Sequence, residues 1–365
     1  MRIAIIEPYY GGSHQAWADG YRAHSEHEVR LFTHEARFWK WRMHGSYVTL
    51  AEEFVVDVER HGLFDLILAS DMLHLPAFLG SVGAARGDAA VALYMHENQL
   101  TYPLSPRDTV DEAYAMINWA SMTVADAVLF NSQFHHDAWF EQIPGQLRRF
   151  PDYKHSDLLP AVEAKAGVLG VGVDLRRLDG AEPLDASAPL VLWNQRWDFD
   201  KGPDRFADAM IALARSHDFM IALAGEEIGE IPAFTRLQEV LAARMFHVGF
   251  AADDEYGRLL AASDVVVSTA TQEFFGIAIT EAIYAGAFPV LPNALVYPER
   301  IPRGHHRPCL YDSDDELLER LGWALEHREE AATIAAALKP AMAKWDWAVM
   351  GPQYDEVLAG VRVRE

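Results

Sequence analysis

Ten short apolar runs rich in Val, Ile, Leu and Ala alternate with amphipathic stretches, and that alternation restricts the fold more than any other feature of the chain. The runs are RIAIIE, EVRLFTH, DLILAS, AVALYMH and AVLFN, then LVLWNQ, FMIALAG, MFHVGF, DVVVST and FPVLP. Strands of this kind, separated by segments with helical spacing, belong to a parallel sheet covered on both faces by crossover helices. They form two series of five. Between them lies GVLGVGVDLRRLDGAEPLDASAP, residues 167–189, where glycine, proline and small polar residues replace periodic structure. The expected fold is α/β with two doubly wound domains, 1–172 and 173–339. Ligands of doubly wound sheets bind beyond the carboxyl ends of the strands, so two such domains facing each other offer a cleft.

A chain of 365 residues, half of them hydrophobic and 23% charged, is long enough for two packed cores. The opening MRIAIIEPYY meets an acid and aromatics too early for a secretory core. No stretch approaches the ~18 uninterrupted apolar residues of a membrane span. A soluble, cytoplasmic protein without membrane contact is expected. The single cysteine, Cys309, excludes an internal disulfide framework and a Cys-cluster metal site. The formal charge of −23 repels nucleic acid globally and leaves room only for local basic patches. Two candidates exist: Arg37, Lys40, Arg42 and His44 in RFWKWRMHG, and Arg148, Arg149, Lys154 and His155 in LRRFPDYKH. For each, the alternative is a solvated loop whose long side chains lie over apolar surface. Several motifs fail. The glycines of GVLGVGVD sit in the linker rather than opening a helix, no Walker A loop is present, and HENQL departs from HExxH at Leu100. The adjacent His135 and His136 lack the i, i+4 spacing of a shared metal site, and a solvated helix start is expected there.

The segment STATQEFFGIAITEAIYAG, residues 268–286, carries the chemistry. DVVVST reads as a strand and GIAITEAIYAGA as a helix, so TATQEFF lies at a strand's carboxyl end and Gly276 opens the helix. The first amides of that helix have no intrahelical partner and form an anion site. Glu273 stands before the site and Glu281 one to two turns into the helix. Carboxylates accept hydrogen bonds from sugar hydroxyls, so a phosphate flanked by sugars, a nucleotide sugar, is the economical ligand. In LWNQRWDFDKGPD, Arg196 and Lys201 supply two cations at another strand's carboxyl end, suited to a diphosphate leaving group. The alternatives are that Glu281 caps or forms a salt bridge, that Glu273 is a surface acid, and that the cations pair with Asp198, Asp200 or Asp204.

The order R-x4-K, then E-x7-E around a glycine, then a terminal segment bearing Trp345 and Trp347 resembles family 4 retaining glycosyltransferases of the GT-B architecture. Within these, IIEPYYGGSH, FWKWRMHG, YMHENQLTYP, FNSQFHHDAWF and LWNQRWDFDK resemble the subgroup that mannosylates queuosine in tRNA. The likeness spans nearly the whole chain. It implies two Rossmann-like domains facing across a cleft, with the C-terminal helix 340–365 packing back on the first. It assigns Arg196 and Lys201 to the diphosphate, Glu281 to the ribose and Glu273 to the transferred sugar. Phe275, Gly276 and Ile277 would offer backbone amides, Gly11, Gly12 and Ser13 a loop that lets backbone approach the donor, and His96 a contact beside the sugar. From the residues alone, His96 ends a strand where a catalytic contact belongs, though a structural histidine fits there equally.

The resemblance further implies transfer of mannose from GDP-mannose, with the departing diphosphate taking the acceptor's proton and no metal or other cofactor required. For the acceptor it points to Asn98 and Gln99, and to Trp39 and Trp41 interleaved with Arg37, Lys40 and Arg42. Such aromatics stack on the exposed bases of single-stranded RNA, or else belong to the domain core. Three classes stay open from the residues: a glycosyltransferase, including one using another nucleotide sugar and a small acceptor; a GT-B sugar-nucleotide epimerase; and a non-catalytic binding protein. The last should have lost members of the cation, glycine and acid set, all of which are here.

Overall fold

The computed structural model describes residues 1–103, 111–226 and 230–362. The chain divides into two compact units, Met1–Val173 with Trp347–Glu365, and Asp174–Asp346. The return to the first unit therefore begins at Trp347 and not at 340: the helix Arg328–Ala343 stays with the second unit.

In the first unit six strands form one sheet: β1 (Arg2–Tyr10), β2 (Glu28–Glu35), β3 (Leu66–Ser70), β4 (Ala90–Met95), β5 (Ala127–Phe130) and β6 (Ala166–Val168). Their order is β2-β1-β3-β4-β5-β6 and their pairings are parallel. β3 and β4 are buried at every residue, which is why they read as unbroken apolar runs rather than alternating ones. The sequence direction reverses between β1 and β3, so the loops after those strands diverge to opposite faces and leave a crevice at their carboxyl ends. β6 is a correction, because AGV lies where the linker was expected to start. Its three residues form an edge strand too short to give a periodic signal.

The C-terminal helix Trp347–Gly360 is fastened to this unit by close packing and buried hydrogen bonds. The Trp347 ring fills the space where a Cβ on Gly20 or Gly172 would sit, with ring atoms 2.0 and 2.3 Å from those positions, so neither glycine tolerates a side chain. Tyr354 Oη receives a hydrogen bond from Trp17 Nε1 at 3.1 Å and donates toward Gly170 O at 2.9 Å. Asp355 accepts from Tyr21 Oη and Ser25 Oγ.

The second unit has β7 (Leu190–Trp193), β8 (Met220–Ala224), β9 (Met245–Gly249), β10 (Val265–Val267), β11 (Phe288–Pro292) and β12 (Leu310–Tyr311). The order β12-β11-β10-β7-β8-β9, again parallel, is that of a dinucleotide-binding doubly wound sheet, with its switch point between β7 and β10. β12 has two residues and escapes sequence reading for the same reason as β6. No described helix is long and apolar enough to cross a membrane.

Candidate active site

In the second unit the two segments singled out from sequence meet at the switch point. Residues 194–201 follow β7 and residues 268–276 follow β10. The two loops are sewn together: Thr269 Oγ1 donates to Lys201 O at 3.0 Å, and Thr271 N to Asp200 O at 2.8 Å. Lys201 is nearly buried, and its Nζ reaches Gln272 O at 2.9 Å, Asp200 Oδ2 at 3.1 Å and Glu273 Oε2 at 3.3 Å. Burial opposes the ammonium, but Glu273 and Asp200 outweigh it and hold the lysine above its ordinary pKa. Burial likewise pushes Glu273 up, yet Lys201 and the amides of Phe275 and Gly276 outweigh it and leave the carboxyl below its ordinary range. Arg196 is exposed, its guanidinium 3.9 Å from Asp198.

Gly276 opens the helix Ile277–Ala285 at φ +83°, a conformation that favours glycine. Three amides were expected to face a ligand here. Two are already held: Glu273 Oε1 accepts from Phe275 N at 3.3 Å and Gly276 N at 3.0 Å. Glu273 thus caps the helix with one oxygen and grips Lys201 with the other, while Ile277 occupies the first helical position.

Glu281 is also buried, with Oε1 accepting from Arg177 Nη2 at 2.6 Å and Oε2 from Tyr256 Oη at 3.1 Å. Burial outweighs Arg177 and raises its pKa. Each carboxylate oxygen keeps a lone pair for a further donor. Sequence reasoning missed Arg177 and Tyr256, which lie far along the chain from Glu281 and carry no local spacing signal.

In the first unit, the carboxyl ends of β1, β3 and β4 gather Glu7, Asp71 and His96 around His14, the last from the first turn of the helix Gly12–His24. His14 Nδ1 and Glu7 Oε2 are 3.0 Å apart, and Glu7 Oε1 accepts from Tyr9 N at 2.8 Å. The His14 and His96 rings lie 4.1 Å apart. The backbone of His96 is clamped on both sides, its N–H donating to Asp71 Oδ1 and its carbonyl accepting from Asn131 Nδ2, both at 2.8 Å. His96 Nε2 and Asp71 Oδ2 are buried without a hydrogen-bond partner among the described residues. Burial and the neighbouring His14 and His135 drive the His96 pKa well down. Of this cluster only His96 was picked from sequence. Glu7 and His14 stand inside IIEPYYGGSH, and an acid ending the apolar run RIAIIE was the available signal. Glu7, His14 and His96 bring three potential ligand atoms within 4.8 Å of one another, but the short Glu7–His14 contact requires a proton between the two groups.

The turn preceding His14 differs in its glycines. Gly11 has an extended backbone, and a Cβ there would meet Ala36 Cβ at 2.5 Å. Gly12 has φ +53° with open space around it, and Ser13 is exposed.

The aromatic-basic segment divides between the two roles open to it. Trp39 packs on Tyr114, ring centroids 4.9 Å apart, beside the buried Met43, Met72 and Ile117. Phe38 and Trp41 remain 77% and 64% exposed. Arg37 lies 3.5 Å from Glu35, Arg42 Nε donates to Glu35 O, and Lys40 Nζ sits 5.5 Å from the Trp39 ring. Trp41, Arg42, His44 and Tyr47 line an open groove of about 800 Å³. Asn98 is fully buried, and its Oδ1 accepts from Leu100 N, Thr101 N and Thr101 Oγ1 of its own loop. Gln99 is half-buried and donates to Glu97 at 2.8 Å. The second basic patch stays exposed, with Arg149 paired to Glu112 and Lys154 donating to Arg148 O. His135 is fully buried rather than solvated, its Nδ1 2.9 Å from Asn131 Oδ1.

Comparisons with known proteins bear on both units. A family described as tRNA-queuosine alpha-mannosyltransferase N-terminal matches residues 2–173, and one described as glycosyl transferases group 1 matches residues 176–339. The tRNA-queuosine alpha-mannosyltransferase of Drosophila melanogaster is 34% identical over 87% of this chain and 85% of its own. Among solved structures, Anabaena HepE in complex with UDP and glucose aligns with a TM-score of 0.71 at 19% identity, over 98% of this chain and 99% of its own. Sucrose-phosphate synthase from Thermosynechococcus elongatus aligns with a TM-score of 0.72 at 17% identity, over 98% of each chain. These distant structures share the fold, and the fly relative carries the lineage. With its paired doubly wound units, the chain is a GT-B glycosyltransferase and belongs to the tRNA-queuosine alpha-mannosyltransferase family.

Proposed function

We propose that this glycosyltransferase moves mannose from GDP-mannose to queuosine in tRNA, with retention at the anomeric carbon and without a metal ion. The observation that carries the transfer chemistry is Lys201, a buried ammonium held at the switch point by Asp200 and Glu273 beside a helix N-terminus. A fixed, desolvated cation stabilises the charge that develops on a leaving diphosphate, and Arg196 adds a second, exposed one. The bond between the anomeric carbon and the diphosphate oxygen breaks, a bond to the acceptor hydroxyl oxygen forms on the same face, and the hydroxyl proton passes to the departing oxygen. Glu273 orients the sugar hydroxyls and Glu281 the ribose.

Sugar and acceptor rest on the likeness to the fly enzyme. Exposed Phe38 and Trp41 beside Arg37, Lys40 and Arg42 support an RNA acceptor, since unpaired bases stack on such rings. The cytoplasm is the corresponding compartment. Incubation of the protein with GDP-mannose and queuosine-containing tRNA, followed by mass analysis of the digested nucleosides, tests the proposal. One added hexose on queuosine, absent without protein, is expected. Unmodified queuosine alongside intact GDP-mannose binding would discard the acceptor.

A further inference from the structure

We propose that the open groove of the first unit lined by His34, Trp41, Arg42 and Ser46 is a single-nucleotide pocket, which takes one unpaired base of the RNA acceptor. The inference rests on the RNA-acceptor reading and deepens it, from a stacking surface to a site with a defined occupant.

Trp41 is exposed and yet held in place. A Cβ on Gly45 would meet its Cζ2 at 2.8 Å and its Cη2 at 2.9 Å, so the six-membered part of the indole lies against bare backbone at the end of its own helix, Trp39–Gly45. A side chain at position 45 would displace it. With 64% of the residue open to solvent, the ring offers aromatic surface that is already oriented. A pre-set ring loses little conformational freedom when a base stacks on it.

Two polar groups of the same groove are left over. Ser46 is 3% exposed, and neither its Oγ nor His34 Nδ1 has a hydrogen-bond partner among the described residues. Buried polar groups are normally paired, and an unpaired one points to a ligand or a water. His34 Nε2 lies 3.0 Å from Thr49 Oγ1. Burial and the Arg42 guanidinium hold the imidazole below its ordinary pKa, so the neutral ring has one nitrogen that donates and one that accepts. Thr49 engages Nε2, and Nδ1 remains for the edge of a base.

Charge selects the occupant. Residues 34–49 carry Arg37, Lys40 and Arg42 against the single acid Glu35, in a chain where acids outnumber lysine and arginine 54 to 31. Ring, base-edge partner and local positive charge answer to the three parts of an unpaired nucleotide: the face of the base, its edge and the phosphate. An apolar peptide would leave His34 and Ser46 unpaired. The groove volume of about 800 Å³ falls within the roughly 300–1,000 Å³ of small-ligand sites, which suits one nucleotide rather than a paired stem.

The probe is an anticodon stem-loop RNA with plain guanosine at its wobble position, so neither queuosine nor GDP-mannose enters the assay. Expected are saturable binding to the wild-type chain, weaker binding of a fully paired hairpin of equal length, and, with 4-thiouridine in the loop, ultraviolet crosslinks on the peptide carrying Trp41 and Ser46. Trp41→Ala should weaken loop binding roughly 5- to 150-fold. His34→Phe, which keeps a ring and removes both nitrogens, should weaken it roughly 2- to 10-fold. Gly45→Ala should weaken it too with Tm unchanged, because alanine suits a helix and the added Cβ removes only the seat of the Trp41 ring. Wild-type affinity in Trp41→Ala and Gly45→Ala, equal binding of loop and paired hairpin, no binding at all, or crosslinks that map elsewhere each overturn the pocket. So does a dimer of this chain that forms through Trp41 and excludes the RNA. Since no sugar moves in these assays, absent mannose transfer would discard the proposed substrate and leave the pocket to its own binding data. Transfer with wild-type RNA binding in both variants would do the reverse.

Discussion

Replacing Lys201 by Met should unsettle the second unit as well as its chemistry, by an amount the contacts define. The Nζ group touches Asp200, Glu273 and the Gln272 carbonyl, and the side chain is only 12% exposed. Removing one partner of such a buried cluster costs about 3–5 kcal/mol, because the remaining carboxylates lose their counter-charge. The lower end is expected here, since Glu273 keeps the amides of Phe275 and Gly276. For a unit of this size, about 3 kcal/mol corresponds to a Tm lowered by about 6–12 °C. The deficit should also depend on pH. In the wild type Glu273 lies below its ordinary pKa, so it contributes stability above the unfolded carboxylate range and loses it as pH falls. Without Lys201, burial dominates and protonation relieves the unpaired charge, so wild type and variant converge on acidification. Calorimetry at about pH 7.5 and about pH 5 reads both effects. A variant melting with the wild type at pH 7.5, or a gap equal at the two pH values, would refute the electrostatic account of the clamp.

Three further outcomes are expected. Trp347→Ala empties the space between Gly20 and Gly172 and should cost about 3–5 kcal/mol, read as an earlier unfolding transition of the first unit. Trp41→Ala, on an exposed ring, should leave Tm unchanged while weakening tRNA binding by about 1–3 kcal/mol in a filter-binding titration; unchanged binding would remove the ring from the acceptor surface. Glu281→Gln keeps the shape but removes the carboxylate's charge-assisted bonds, and donor affinity by calorimetric titration should fall by about 2 kcal/mol, roughly 30-fold.

Much of the fold was legible because a parallel sheet buried on both faces leaves apolar runs, and ten of the twelve strands among the described residues carry one. β6 and β12, with three and two residues at sheet edges, have no such signature. The site of the second unit was legible for a related reason. Arg196 and Lys201 share one strand-end loop, and Glu273 and Glu281 share one loop and helix, so spacing alone places each pair. What the partners do to one another was not legible: Glu273 caps its own helix, and Glu281 is held by Arg177 from 104 residues away.

The sequence by itself determined the doubly wound class, the strand-end position of Arg196 and Lys201 and the family likeness, because each lies in a continuous stretch governed by local periodicity. Tertiary structure alone decided that Glu7, His14, Asp71 and His96 form one buried cluster. Their segments are separated by whole crossover helices, and only parallel packing of β1, β3 and β4 brings those carboxyl ends to one place. It also decided which aromatics are core and which are surface, since Trp39 and Trp41 differ in burial through the neighbours that folding brings to each.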